Sequence, residues 1–430
     1  MQTSIAENRL RNPDVRIAEE ILRKCVHCGF CNATCPTYQL DGNELEGPRG
    51  RIYLIKSLLE DRVKHTAKVV THLDNCLSCL ACETICPSGV RYSHLIDSAR
   101  RRIEESYRRA PLARLERMLL ARLLPYPGRF RAVMRLARIA KPLAPLLPKR
   151  LRAMLDMAPA RLPTPSRHER GGVFPAEGHR RKRVALLTGC VQKVMGPEIN
   201  DASIRLLTRL GCEVVVPPGL GCCGALVYHM GNHSDSLPHM RNAIDEWQGA
   251  LETGGLDHIV INTSGCGQAV RDYGHIFAED AEYRDKAARI AGLARDLSEV
   301  VHELGLPEGL ASPSPGMRVA YHDACTLQHG QKVQAQPRAL LTAAGFEVLD
   351  IPEGHLCCGS AGTYNLLHAE TAAKLGQWKA ANIAAVKPQL VAAGNIGCME
   401  QIAAHSPFPV VHTAQLLDWA TGGPKPPSVP

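Results

Sequence analysis

Cys25-x2-Cys28-x2-Cys31-x3-Cys35-Pro36 returns about fifty positions later as Cys76-x2-Cys79-x2-Cys82-x3-Cys86-Pro87. Cysteines three apart in a tight loop can reach three corners of one iron–sulfur cube. The fourth lies too far along the turn and serves the neighbouring cube. The spacing therefore predicts two [4Fe–4S] clusters, one on Cys25, Cys28, Cys31 and Cys86, the other on Cys76, Cys79, Cys82 and Cys35. Pro36 and Pro87 redirect the chain after the last ligand and add no N–H of their own. Paired C-x2-C units can also hold zinc, but two matched runs of four, each closed by Cys-Pro, favour the cubes.

Outward from these runs the chain divides into four regions. Residues 1–99 form a ferredoxin-type unit carrying both runs. Residues 100–182 lack cysteine, are rich in arginine, and gather Pro142, Pro145, Pro148, Pro159, Pro163, Pro165 and Pro175, which reads as a basic helical linker. Residues 183–310 and 316–430 read as two copies of one unit. Cys190 recurs as Cys325, and Cys222-Cys223-Gly224 as Cys357-Cys358-Gly359, both 135 positions on; Gly265-Cys266 recurs as Gly397-Cys398. Repeats of this length are duplicated domains rather than solenoid units.

Each copy opens with an apolar run, at Val184 or Val319, that ends at a cysteine. A helical pattern follows (Ala202 to Leu210; Pro337 to Ala344), closed by Gly211 or Gly345. A second strand leads to the Cys-Cys-Gly turn. A third (His258 to Asn262; a weaker one near Gln389 to Ala393) leads to the last cysteine. Alternating strands and helices predict a short parallel sheet with helices around it, with ligands at the carboxyl ends of the strands. The expected fold is thus multidomain, α+β and α/β: a helical two-cluster domain followed by two α/β Cys-Cys-Gly domains. Adjacent cysteines on a glycine-ended turn can both face one ion or cluster. Cys190, Cys222, Cys223 and Cys266, then Cys325, Cys357, Cys358 and Cys398, are accordingly candidate ligands for one or two further Fe–S or metal sites; buried packing cysteines are the alternative. Cys212, whose counterpart is Phe346, reads as a core residue.

Composition narrows the function. Of 430 residues, 45% are apolar and 22% charged, as in ordinary globular proteins. Aromatic residues make up 4%, too few for a surface that stacks single-stranded nucleic acid. The first twenty residues contain no apolar h-region, and no stretch reaches 18 uncharged apolar residues, so neither a secretory signal nor a membrane span is expected. Seventeen cysteines without a signal peptide imply a reducing, cytoplasmic setting in which such spacings mark metal or redox sites. The net charge of +9 is concentrated in residues 100–183, with 23 Lys+Arg against 6 Asp+Glu. Leu112, Leu115, Leu119, Leu123 and Leu136 recur there at roughly helical spacing, which suits an anionic membrane surface, an acidic partner or a solvated bridging face.

Other motifs carry less. Gly219-Leu220-Gly221-Cys222-Cys223-Gly224 matches G-x-G-x-x-G, but Pro217 and Pro218 break the strand-to-helix turn a dinucleotide needs. His229, His233, His322 and His355 flank cysteine motifs and read as supporting or core residues. No catalytic residue is predicted, since the sequence holds no nucleophile elbow, P-loop or flavin fingerprint. Substrate bond chemistry requires a cofactor carried elsewhere.

Cys25 to Tyr38, Gly47-Pro48-Arg49-Gly50-Arg51-Ile52, Cys76 to Tyr92, Ser264-Gly265-Cys266-Gly267, Tyr321 to Gln328 and His355 to Tyr364 together resemble the iron–sulfur subunit family of bacterial glycolate oxidases. The resemblance runs from Cys25 to about residue 420. It implies a heteromeric complex in which FAD-bearing subunits oxidise glycolate to glyoxylate, and D-lactate as a related substrate. This chain would then pass electrons toward a quinone or another acceptor, at the inner face of the cell membrane. The Cys-Cys-Gly units are also similar to the small subunit of anaerobic glycerol-3-phosphate dehydrogenase and to heterodisulfide reductase subunits. In the reductase a further C-x2-C cysteine assists; here Ala269 and Gln401 occupy those positions.

Overall fold

The computed structural model describes residues 1–142, 155, 159, 161–310 and 312–429. Pro145 and Pro148, with the rest of residues 143–154, 156–158 and 160 of the basic stretch, lie outside the described residues.

The N-terminal region is helical. Its longer helices are α1 (Pro13–Lys24), α2 (Pro48–Leu59), α3 (Ala67–Asp74) and α4 (Tyr92–Ser106). Proline at the first turn starts α1 and α2 where its missing N–H costs nothing. Asn12 caps α1 and Thr66 caps α3 through their side chains. Leu22, Ile52, Ile55, Leu73, Leu95, Ile96 and Ile103 from all four helices close one apolar core beneath the cysteine loops. α4 runs across the 99/100 position read as a boundary. Two further helices, α5 (Pro111–Leu123) and α6 (Pro127–Ala140), follow in the basic stretch.

Two parallel sheets build the rest. The first has strand order β1-β3-β2-β4-β5, with β1 Gly172–Phe174, β2 Lys182–Leu187, β3 Cys212–Val216, β4 His258–Ile261 and β5 Ala294–Asp296. Only β1, which comes from the stretch read as linker, pairs antiparallel. The second sheet is parallel throughout, in the order β7-β6-β8-β9, with β6 Arg318–His322, β7 Glu347–Asp350, β8 Leu390–Ala393 and β9 Val410–His412. The strand that looked weak in the sequence is β8. All four of its residues are buried, as a central parallel strand requires.

The helices α7 (Pro197–Arg209), α8 (His233–Gly254), α9 (Ser264–Arg271), α10 (Arg284–Leu293) and α11 (Leu297–Leu304) belong to the first copy. The second carries α12 (Ala335–Ala343), α13 (Ala369–Ala385), α14 (Ile396–Ala403) and α15 (Thr413–Ala420). Side chains alternate along each central strand. Val184 and Leu186 of β2, with Val319 and Tyr321 of β6, point into one core filled by residues of α7, α11, α12 and α15. The two sheets therefore share a single helix layer, in which α7 meets α15 and α11 meets α12. Asp418 of α15 locks that layer by accepting from Arg205 and Arg209 of α7. Ala185 and Leu187 face the other way, into a core with α8, α9 and α10, and Ala320 does the same in the second copy.

Candidate metal centres

The two ferredoxin-type runs adopt the same backbone. His27 and Gly29 have φ of 60° and 90°; Ser78 and Leu80, at the matching positions, have 50° and 66°. This repeated left-handed pair curls each loop around its first three cysteines. Leucine at a left-handed position costs about 1–2 kcal/mol, and burial of Leu80 against the second copy offsets it. Cys25 ends α1 and Cys35 precedes the helix Pro36–Asp41, so both are held by regular structure.

Cys25, Cys28, Cys31 and Cys86 line one pocket at the surface, with Cys82 reaching its inner wall. Cys28 is exposed, as are its neighbours Val26 and Phe30. Burial pushes the Cys31 thiol up to about 11, and the negative charges of Cys25, Cys28 and Cys86 add to the rise. Cys35, Cys76, Cys79 and Cys82 meet in a second, interior place. Burial pushes the thiols of Cys79 and Cys82 well above the ordinary value; the charge of Cys325 of the second copy, then those of Cys35 and Cys76, add to the rise at Cys79, and those of Cys79, Cys76 and Cys35 to the rise at Cys82. Four thiolates converging in so little water repel one another. The arrangement suits a cationic iron–sulfur core, which stabilises the deprotonated sulfurs.

The interior site also contains a buried cation. Arg51, 1% exposed, donates to Glu46 at 2.7 Å, to Thr37 at 3.1 Å and to the His72 carbonyl at 2.7 Å, and its Nη1 lies 3.9 Å from Cys35 Sγ. Burial disfavours its charge, but the nearby Cys76, Tyr92, Cys35 and Glu46 raise its pKa overall. Tyr92 Oη lies 3.8 Å from Cys76 Sγ.

The two Cys-Cys-Gly turns are built alike. Each site draws on the carboxyl ends of three neighbouring strands: Cys190 after β2, Cys222 and Cys223 after β3, Cys266 in α9 after β4, and in the second copy Cys325, Cys357 with Cys358, and Cys398 in α14. Gly224 and Gly359 have φ of 79° and 92°, and a Cβ there would press on Met240 or on the Ala372 carbonyl. Each glycine N–H lies 3.4 Å from the sulfur two residues back, Cys222 or Cys357. Cys190 and Cys222 Sγ are 3.4 Å apart. Hydrogen bonds from Cys222 and Cys266 hold Cys223 well below the ordinary thiol value, and Cys357 and Cys398 do the same for Cys358. Cys212 and Phe346 occupy the shared core.

The histidines divide. His229 pairs with Asp97 of α4 at 3.1 Å, His233 stacks on Tyr228, and the His355 carbonyl accepts from His329. His322 behaves differently: its ring, Cys358 and Cys398 present ligand atoms that all lie within 4.8 Å of one another, and all three residues are buried. A histidine closing an apolar strand reads in sequence as core. The available signal was the mismatch with Leu187, its counterpart in the first copy.

The ferredoxin-type region rests on the carboxyl-end side of both sheets. Thr84 bonds His329 at 2.9 Å, Arg100 donates to the His229 carbonyl at 3.2 Å, and Leu77 and Cys79 pack with Cys325 and Cys357. The interior site thus abuts the second Cys-Cys-Gly site.

Residues 21–90 match the family model described as a 4Fe-4S dicluster domain, and residues 184–271 and 319–403 each match the cysteine-rich domain. The chain is 42% identical to the glycolate oxidase iron-sulfur subunit of Escherichia coli, over 98% of this chain and 99% of that protein. It is 32% identical to the probable glycolate oxidase iron-sulfur subunit of Bacillus subtilis, over 90% and 89%. Lactate utilization protein A of Geobacillus thermodenitrificans is 27% identical, matching 55% of this chain and 98% of its own length. No described helix is long and apolar enough to cross a membrane. Cysteine geometry, family models and near full-length relatives agree: the chain belongs to the glycolate oxidase iron–sulfur subunit family and is an iron–sulfur electron-transfer component of an oxidoreductase complex.

Proposed function

We propose that this chain takes electrons from an FAD-bearing subunit that oxidises glycolate to glyoxylate and passes them toward a quinone or another acceptor. The observation that carries this is the row of thiol sites, from exposed Cys28 at the surface to Cys79 beside Cys325 in the interior. Cys25, Cys28, Cys31 and Cys86 would hold one [4Fe–4S] cluster and Cys76, Cys79, Cys82 and Cys35 the other. Clusters bound there supply one-electron redox steps, while the two protons and two electrons of glycolate leave on the flavin of the partner.

The protein's own residues set the conditions. Val26, Phe30, Tyr53 and Ile85 form an exposed apolar surround for the outer site, suited to excluding water when a redox partner docks. Arg51 and Tyr92 place a positive charge and a hydroxyl beside the inner sulfurs, which favours the reduced, more negative state of that site. We read residues 1–99 as the two-cluster domain, 100–182 as the basic connection, and 183–310 and 316–430 as the Cys-Cys-Gly domains. Exposed Leu112, Leu115, Leu119, Leu136 and Ile139 among the arginines of α5 and α6 support contact with an anionic membrane surface.

Purified anaerobically with its partner subunits, the complex should contain FAD and iron, and glycolate should bleach both chromophores. Failure of glycolate to reduce the iron with any flavin partner would overturn the reading. The lactate utilization relative, which matches about half of this chain, favours a lactate as a second substrate. A panel of glycolate, D-lactate and glycerol 3-phosphate on the complex separates these.

A further inference from the structure

The two Cys-Cys-Gly sites share their turns and their four-cysteine pattern, yet differ at the end of the central strand. β2 ends in Leu187 and β6 in His322. The positions are equivalent in register: Leu187 pairs with Ile261 and His322 with Ala393. Tyr321 turns into the shared core, so His322 projects from the opposite face, toward Cys358 and Cys398.

We propose that His322 is a fifth donor at the second Cys-Cys-Gly site, giving the metal cluster held there mixed cysteine and histidine ligation while the first site is ligated by cysteine alone.

Three observations support it. His322 is 1% exposed, its ring nitrogens find no hydrogen-bonding oxygen or nitrogen among the described residues, and the group the ring approaches is the Cys358 sulfur. A buried imidazole whose polar neighbours are the site's own sulfurs is placed to direct a ring nitrogen at the same centre. Its ligand atom and the sulfurs of Cys358 and Cys398 lie mutually within 4.8 Å, close enough for one metal centre to span. The surroundings have diverged as well. Asn395 Nδ2 lies 3.1 Å from Cys398 Sγ, whereas its counterpart in the first copy, Thr263, donates its hydroxyl to Gln192 instead.

The consequence is read in the potential of the second site, which abuts the interior ferredoxin-type site through Cys325 and Cys79. As a neutral fifth donor the imidazole adds no negative charge to the four thiolates, whereas a fifth thiolate in its place would, so the wild-type cluster takes up an electron more readily than that of His322→Cys.

The proposal rests on the reading that the Cys-Cys-Gly sites are loaded. The test uses the full chain, prepared anaerobically with [15N]-histidine, analysed for iron, and examined by pulsed EPR while poised across its whole redox range. Expected is one paramagnetic centre with histidine nitrogen coupling. That coupling should vanish in both His322→Cys and His322→Leu, and the midpoint of the same centre should move negative in His322→Cys, which restores an all-sulfur set. Full iron loading with no histidine nitrogen at any poise would overturn the proposal but leave the loading intact. A coupling that survives His322→Leu or His322→Cys would overturn it equally. About eight irons per chain, the content of two cubes, would remove the loading and the proposal together. Should His322→Leu fail to fold, the wild-type spectrum and His322→Cys still decide.

Discussion

The two ferredoxin-type sites have one loop design and two environments. In both, a left-handed pair of residues brings three cysteines together and a fourth arrives from the other run. The outer site opens to solvent at Cys28 and is bordered by exposed apolar side chains. The inner site is enclosed by Arg51, Tyr92 and the second Cys-Cys-Gly copy. Loop geometry is thus set by the repeated motif, whereas solvent access and local charge are set by what packs against it.

Cysteine replacement is the largest test of that contrast. Cys82→Ser should cost the chain about four irons and weaken the fold, because Cys35, Cys76 and Cys79 would be left buried together without the cluster that binds their sulfurs. Cys28→Ser should lose less iron and leave a folded chain. Iron analysis with EPR measures both, and equal losses would erase the distinction. Next come the two arginines. Arg51→Met takes the arginine from buried Glu46, leaving it His72 and Asn75, and should destabilise by about 3 kcal/mol. Arg49→Met breaks a pair whose side chains are 33% and 41% exposed and should cost below about 1 kcal/mol. Denaturant unfolding of the anaerobic protein would show the difference.

The left-handed residues give a smaller effect. Gly29→Ala should cost about 1–2 kcal/mol for its backbone conformation, with a little more as the Arg49 side chain moves aside. Leu80→Gly relieves the same strain but removes a buried side chain, so it too should destabilise, by a net of roughly 1–3 kcal/mol. A stabilised Leu80→Gly would show that the inner loop owes nothing to the packing around it. The smallest effect concerns pH. Burial lowers the pKa of His229, but Asp97 outweighs it and the net shift is upward; burial raises that of Asp97, but His229 outweighs it and the net shift is downward. The stability from raised His229 is complete below its unfolded value of about 6.5 and fades as pH climbs through the folded value. That from Asp97 is complete above about pH 4 and fades as pH falls through its depressed value. His229 is 37% exposed, so the pair contributes less than about 1 kcal/mol. Thermal unfolding should therefore separate wild type from His229→Gln more at pH 5.5 than at pH 8.5.

Much of this architecture could be read from the chain itself, because cysteine spacing and the offset of 135 are periodic signals. The cysteine runs and the glycine-ended turns after β3 and β7 are such signals, while the left-handed backbone of those glycines belongs to the structure. Leu80 could not be anticipated, since its strained backbone depends on contacts with residues some 250 positions away. The burial of Arg51 was hidden for the same reason: a basic residue in a helix normally faces water, and only the assembled sulfurs and Glu46 make an interior position favourable. β1 was unreadable inside a stretch whose composition signals a linker, for an edge strand of three residues has almost no pattern of its own. His322 looked like core because the apolar run before it dominates its local signal.

The helix layer common to both sheets has a consequence for how this protein could change. Neither half of the duplication retains a complete interior when cut from the other, so the copies are no longer interchangeable modules. A substitution that enlarges α7 must be accommodated by α15 across the seam, and the paired halves are bound to drift through sequence space together.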